Sequence, residues 1–342
     1  MHIPDGYMSL QTSIPLLGAM VPVWSVAAGK VKKIAGGRSI PLLSLCAAFS
    51  FVIMMFNIPV GPSSVHAVGA VFIAILLGPW AACIAVSVAL VIQALVFGDG
   101  GLLAIGANCF NMAFAMPFAG YYIYRAISGR ADILAKRSLA GIFAGSYIGM
   151  NLASLLVAFE FGIQPLLFKT AGGVPEYGFY PLSVSIPAML TESLLVSGPV
   201  EALITFFAVI YLSRFAPHLL DRAKSIAVES GKLFFYRYRA FIIGLVVLVA
   251  LVPAGLLASG SAWGEWGSDE IRNMLGYVPA GLNKLSGIWK AIVPDYSIES
   301  LGGGFFGSSL GYVLSALIGI LLIFGVLLVS SRLMVNKNDT KK

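Results

Sequence analysis

Apolar stretches of bilayer-crossing length alternate along this chain with short polar segments. Runs at 14–30, 40–58, 66–79, 81–97, 102–124, 138–158, 188–212, 240–259 and 308–331 carry few charges. About 20 apolar residues in helical form cross the hydrocarbon core of a membrane. Backbone at that depth must satisfy its own hydrogen bonds, which favours helices. The pattern therefore predicts an all-α, polytopic membrane bundle of about nine transmembrane helices. The third run is short and bounded by Pro62 and by Gly78-Pro79, so a tilted or broken span is expected there.

The spacing of the runs divides the chain. Residues 1–215 form a dense block of spans. Residues 216–239 read as a basic connector in which Leu219, Leu220, Ile226 and Leu233 alternate with charges, suited to lying on the membrane surface. Residues 240–342 read as a two-span accessory module with a polar outer loop at 260–305.

Composition supports the membrane class: 58% of residues are hydrophobic and 11% charged, against about 25% charged in soluble domains. Charge then sets the orientation. With the N-terminus outside and the C-terminus inside, only Lys169, Arg272, Lys284 and Lys290 of the 22 basic residues fall in outer segments, as the positive-inside rule requires. The net charge of +7 thus reflects topology in a multi-pass protein of the inner (cytoplasmic) membrane, with lipid and not nucleic acid as its surroundings. The outer segments hold acids, among them Asp5, Asp99, Glu160, Glu176 and Glu265, which bias that face toward cations. The first basic residue, Lys30, follows the first apolar run, the reverse of a secretory signal peptide. Cys46, Cys83 and Cys109 fall in or beside spans with no metal-type pairing and read as packing residues.

The candidate chemistry lies at the start of the chain. Met1-His2 offers a metal three nitrogens in sequence: the terminal amine, the His2 backbone nitrogen once deprotonated, and the His2 imidazole. They close one five-membered and one six-membered chelate ring, and such planar nitrogen sites favour Ni(II) or Cu(II). A terminal dipeptide is ordinarily frayed. Here the bulky His2 is expected to hinder removal of Met1, and Pro4-Asp5-Gly6 suits a type I turn that folds the terminus back. The chain has two other histidines, His66 and His218. His66 falls in an outer loop, Gly61-Pro62-Ser63-Ser64-Val65-His66, on the same side as His2, as either a fourth ligand or a hydrogen-bonded interfacial residue. Ser63 or Ser64 is a candidate cap for the helix that follows. His218 falls inside.

The opening Met1-His2-Ile3-Pro4-Asp5-Gly6-Tyr7, taken with Gly61–His66, resembles the CbiM/NikM family, the substrate-binding S components of energy-coupling-factor (ECF) transporters for cobalt and nickel. The resemblance covers about residues 1–215. It implies a square-planar four-nitrogen site made by Met1, His2 and His66, with the metal as cargo and no resident cofactor. It also implies a transmembrane coupling (T) protein and P-loop ATPase subunits as partners. The Pro4-Asp5-Gly6 form of the opening looks more like the nickel branch. Residues 240–342 resemble the CbiN/PDGLE-like accessory module fused to such proteins, through the segments 260–267 and 294–297, although the Pro-Asp-Gly-Leu-Glu signature itself is absent.

Glu192 and Glu201 lie in the seventh run, nine positions apart, which on a straight α-helix puts them on roughly opposite sides. Intramembrane acids are costly and often functional, so a secondary cation transporter working through Glu192 and Glu201 is the alternative. Gln93, Asn108, Asn111 and Asn151 are candidates for hydrogen bonds between helices or for bracing His66. Gly18, Ala19, Ala27, Ala28 and Gly29 in the first span allow close helix contact, either with a coupling subunit or within the chain. No G-x-x-x-x-G-K-[ST] and no H-E-x-x-H occurs. The expected activity is therefore transport rather than enzymatic chemistry, with ATP hydrolysed by other chains.

Overall fold

The computed structural model describes residues 1–35, 40–220, 231–258, 260–302 and 304–335. They form an all-α membrane bundle. Its core block runs through α1 (Leu10–Ala35), α2 (Ile40–Met54), α3 (Ala70–Leu77), α4 (Pro79–Ile92), α5 (Ile105–Asn108), α6 (Met116–Ser128), α7 (Lys136–Leu167), α8 (Leu182–Glu192), α9 (Gly198–Phe215) and the single turn α10 (Pro217–Leu220). The rest holds α11 (Gly231–Leu251), the loop helices α12 (Ser268–Leu275) and α13 (Ala280–Leu285), and α14 (Phe305–Val335). Among the described residues the one sheet is a hairpin, Ile58–Val60 paired with Ser63–Val65.

Among the described residues six stretches are long and apolar enough to cross a membrane: Leu10–Lys32, Pro79–Phe97, Lys136–Leu167, Leu182–Phe215, Phe235–Leu257 and Phe305–Ser330. The other three expected spans take different forms. α2 has 15 residues, nearly all buried by other helices, and α3 has only 8. α3 runs between Gly69 and Gly78, both at positive φ, which accounts for the short third run. The 102–124 run becomes α5, a π-helical segment (Cys109–Ala115) and α6. Of two further π-helical segments, Gln93–Phe97 ends the helix begun by α4 and Ser193–Ser197 lies between α8 and α9.

Glycine governs the tightest crossing. Gly141, Gly145 and Gly149 recur every fourth residue on α7 and face α6. A Cβ built on Gly149 would come 2.9 Å from the Met116 carbonyl oxygen, and one on Gly120 would come 2.9 Å from that of Gly145. This is the small-residue packing of membrane helices, and it sits in α7 rather than in the first span. Gly18 and Gly29 of α1 face open space, although Ala27 is buried.

The last helices pack on the core. The Phe51 ring of α2 lies where Gly319 of α14 has no side chain, and the Tyr312 hydroxyl donates to the Met55 carbonyl at 3.2 Å. Cys46, Cys83 and Cys109 are free thiols buried in the apolar core. The middle of the 216–239 connector, at 221–230, lies outside the described residues.

Replacing Gly145 with leucine is expected to force α6 from α7 and to cost at least about 1–3 kcal/mol in overpacking. The thermal unfolding midpoint in detergent should fall accordingly. Gly18→Leu, placed in open space, should stay within about 0.5 kcal/mol of the parent.

Candidate metal centre

The first nine residues are threaded into the protein. Met1, His2, Ile3, Tyr7, Met8 and Ser9 are all buried, and Ile3 is wholly so. Much of their polar backbone is answered. The Ile3 amide donates to Asn108 Oδ1 at 2.8 Å, and its carbonyl accepts from Gly101 N at 2.8 Å and Asn108 Nδ2 at 3.2 Å. The Asp5 carboxylate accepts from the Leu102 and Leu103 amides at 3.0 and 2.8 Å. The Tyr7 carbonyl accepts from Gly178 N, and the Ser9 amide donates to Gln164 Oε1. Asp5 lies against Gly101 so closely that no Cβ would fit between them. Gly6 has φ +90°. Glycine adopts that value without strain, at the turn the Pro4-Asp5-Gly6 sequence predicts, and the Leu282 backbone closes the space where a side chain would stand.

The second strand of the hairpin delivers His66. Its ring is buried and stacks on that of His2, with centroids 4.9 Å apart and planes at 23°. His66 Nδ1–H donates to the Ala67 carbonyl at 3.0 Å, which leaves Nε2 buried and without a hydrogen-bond partner. Such an arrangement fixes the tautomer and presents a lone pair to a metal. Burial, then the nearby chain-terminal charge and His2, push the His66 pKa well below its ordinary value, so the ring is neutral.

Ser63 and Ser64, expected as caps, are hairpin residues. The α3 N-terminus is held instead by Glu201, whose Oε2 accepts from the Val68 and Gly69 amides at 2.8 and 2.9 Å. Glu201 therefore braces the backbone just beyond His66. Glu192 lines a small pocket with Met1, Ser64, Ser154 and Trp263. The two acids are not on opposite sides as expected. The intervening π-helical segment takes up an extra residue and swings Glu201 by about 100° from its straight-helix position.

Two carboxylates that carried no motif complete the cluster. The Met1 amine donates to Glu265 Oε1 at 2.7 Å, and His2 Nδ1 lies 2.8 Å from Asp99 Oδ1 without hydrogen-bond alignment. His2, Asp99 and Glu265 each offer a ligand atom, all within 4.8 Å of one another. Burial alone would raise the Asp99 pKa, but facing His2, with His66 and the Tyr296 hydroxyl, holds it well below the carboxylate range. Tyr296 OH donates to Asp99 Oδ2 at 2.5 Å, and Gln93 Nε2 donates to the same oxygen at 3.1 Å. Topology had put both acids on the outer face with His2, but no spacing links positions 2, 99 and 265. Glu265 and Tyr296 come from the 260–305 loop, which covers the terminus further when Tyr7 OH donates to the Trp266 carbonyl.

The remaining polar candidates have separate roles. Asn108 braces Ile3 rather than His66, and Asn151 Nδ2 donates to the Tyr147 carbonyl within α7. Asn111 donates to Glu160, which lies buried in α7 rather than in an outer segment. His218 is remote in topology, and its Nε2–H donates to the Arg237 carbonyl at 3.0 Å.

Comparison with known proteins matches this architecture. Residues 2–219 fit the family model of the cobalt uptake substrate-specific transmembrane region, CbiM, and residues 238–336 fit the PDGLE domain. The fused nickel transport protein NikMN of Rhodobacter capsulatus is 42% identical, over 94% of this chain and 95% of that protein. The probable fused nickel transport protein LarMN of Lactiplantibacillus plantarum is 42% identical over the same shares. The cobalt transport protein CbiM of Geobacter sulfurreducens is 29% identical, over 77% of this chain and 74% of its own length. A crystal structure described as a truncated transition metal transporter superposes with a TM-score of 0.59 at 50% identity, covering 63% of this chain and 99% of that one. The chain belongs to the CbiM family, with a PDGLE domain following the family's transmembrane region.

Proposed function

We propose that this protein is the substrate-capture component of an ECF-type importer, taking Ni(II) or Co(II) at the outer face of the cytoplasmic membrane. The observation that carries this reading is the buried terminus, with His2 stacked on His66 and His66 Nε2 left without a partner. The proposed site is the Met1 amine, the His2 backbone and imidazole nitrogens, and His66. A six-membered ring through the His2 backbone must close at Nδ1, the nitrogen that now faces Asp99. The ion would therefore displace Asp99 from His2 and Glu265 from the Met1 amine. No described residue accepts a hydrogen bond from the His2 amide, so that nitrogen is free to ligate.

Nickel is the first choice. Four nitrogens in a plane suit Ni(II), and two relatives that match nearly the whole chain at 42% identity are named for nickel. Copper would bind such a set more tightly still, so its exclusion falls to availability and pocket shape. The nine-span count, the outside N-terminus and the boundaries at 215 and 240 belong to the same reading. So do a T protein and P-loop ATPase partners, for which the lipid-facing side of α1, with Ile14 and Val21 exposed, supplies a docking face. The gradient-driven alternative gains nothing here, because Glu201 is committed to the Val68 and Gly69 amides.

The deciding experiment is Ni(II) and Co(II) titration of the purified protein beside a variant with one alanine inserted between Met1 and His2. The insertion shifts both chelate rings and should abolish tight binding while the thermal unfolding midpoint holds; unchanged affinity would sink the chelate. His66→Ala should weaken binding by at least the roughly 10–100-fold that loss of an outer partner alone costs a metal site.

Acid should weaken binding, because the amine and amide must shed protons to ligate. His66 is already neutral, its pKa being depressed, so it adds little to this slope. Affinity measured calorimetrically from about pH 8 to about pH 5 should fall by at least about tenfold; a flat profile would exclude the terminal chelate.

A further inference from the structure

Two cavities follow one another along the seam between α9 of the core and α11. The first, of about 510 Å³, is walled by apolar side chains that include Phe49, Phe72, Ile204, Phe207, Phe241 and Leu248. The second, of about 440 Å³, lies on the next turns of the same two helices and is lined by Phe215, His218, Tyr236, Arg237 and Arg239. Tyr211 stands between them. Its ring is 5.0 Å from that of Phe215, and its hydroxyl donates to the Ala240 carbonyl at 2.8 Å.

The dimensions point to an occupant. The apolar cavity follows α9 from Val200 to Leu212, about 18 Å at 1.5 Å per residue. One leaflet's share of the hydrocarbon core is about 15 Å. The cleft is therefore as long as one acyl chain. It opens sideways, where Phe207 and Val247 are exposed. Its width depends on Gly244, where an added Cβ would meet only the Tyr211 ring, at 3.5 Å.

The polar end carries two arginines, one of which, Arg237, is also hydrogen-bonded through its side chain to Tyr238. The Arg239 guanidinium sits 5.0 Å from the centre of the Tyr236 ring, and Arg237 lines the same cavity. The His218 hydrogen bond to the Arg237 carbonyl ties α10 to α11 behind them. Arginine suits phosphate in geometry and in charge, and basic pockets between membrane helices take lipid headgroups.

We propose that this seam binds one anionic membrane phospholipid, with an acyl chain in the apolar cleft and its phosphate at Arg237 and Arg239. The lipid joins the core block to the helix that follows the connector, filling a gap that protein side chains leave open. Only the naming of the leaflet, cytoplasmic, rests on the orientation proposed above. The site itself is independent of metal capture.

The test uses the full chain in nanodiscs of phosphatidylglycerol and phosphatidylcholine with matched acyl chains, and native mass spectrometry to count the lipids retained after release. The parent should keep one phosphatidylglycerol, preferred over phosphatidylcholine by about tenfold or more. R237Q/R239Q should lose that preference, and R237K/R239K should keep most of it. Gly244→Leu, which fills the cleft, should lower retention of both lipids, with thermal unfolding in detergent confirming that each variant is folded. Equal retention of the two lipids by the parent would overturn the proposal. So would phosphatidylglycerol retention unchanged in both R237Q/R239Q and Gly244→Leu, or a photo-crosslinker at Phe207 that captures polypeptide instead of lipid. Should R237Q/R239Q fail to fold, Gly244→Leu and the parent's own selectivity still decide.

Discussion

A charged chain end buried at the rim of a membrane bundle must have its polar atoms answered, and much of this structure follows from that demand. An unmet backbone group in such a place costs about 1–3 kcal/mol, and a charge costs more. The Met1 amine meets Glu265, and the Ile3 peptide is bracketed by Asn108 and Gly101. Asp5 caps the turn at Leu102 and Leu103. These partners come from α5, from the glycine-rich loop before it and from the distal loop at 260–305. The bundle is organised around a short extended segment that no single helix could hold.

The two histidines are fixed by different means, and the difference bears on function. His66 is locked from its own side: Nδ1 is engaged by Ala67, and the backbone beyond is clamped by Glu201. Its remaining nitrogen has one direction left. His2 and the terminal amine are held by contacts to carboxylates that a cation can replace. In the proposed site, a rigid ligand paired with releasable ones would let an ion enter without refolding the core.

Much of the fold was legible in the sequence, because hydropathy and the presence of a Met1-His2 terminus are local properties. The helical regions fall where the apolar runs lie, and His2 meets His66, as a shared side of the membrane allows. What stayed hidden was non-local or geometric. Asp99 and Glu265 are brought to positions 1 and 2 only by tertiary folding. The three π-helical segments leave no compositional mark, yet each adjoins a polar residue of the centre: Gln93–Phe97 leads to Asp99, Cys109–Ala115 follows Asn108, and Ser193–Ser197 follows Glu192. Such segments shift helical phase and recur at functional sites. The glycine ladder of α7 is readable as a four-residue repeat, Gly141, Gly145 and Gly149, and it marks the tightest crossing, whereas Gly18 and Gly29 of α1 meet no neighbour within the chain.

The carboxylates also change the electrostatics of the centre. A site built from nitrogen alone would meet an arriving dication with a positive amine. Here the amine is already balanced by Glu265, and Asp99 stays ionised beside His2. The field at the entrance is therefore more favourable to a cation than the ligand set by itself implies. Glu265 belongs to the loop that joins α11 to α14, and Tyr296 of the same loop holds Asp99 from the other side. The balance of charge at the N-terminal end of the chain is thus set jointly by the two matched regions, which gives the fused arrangement a physical consequence: neither region alone contains both the nitrogens and the two carboxylate contacts that hold them.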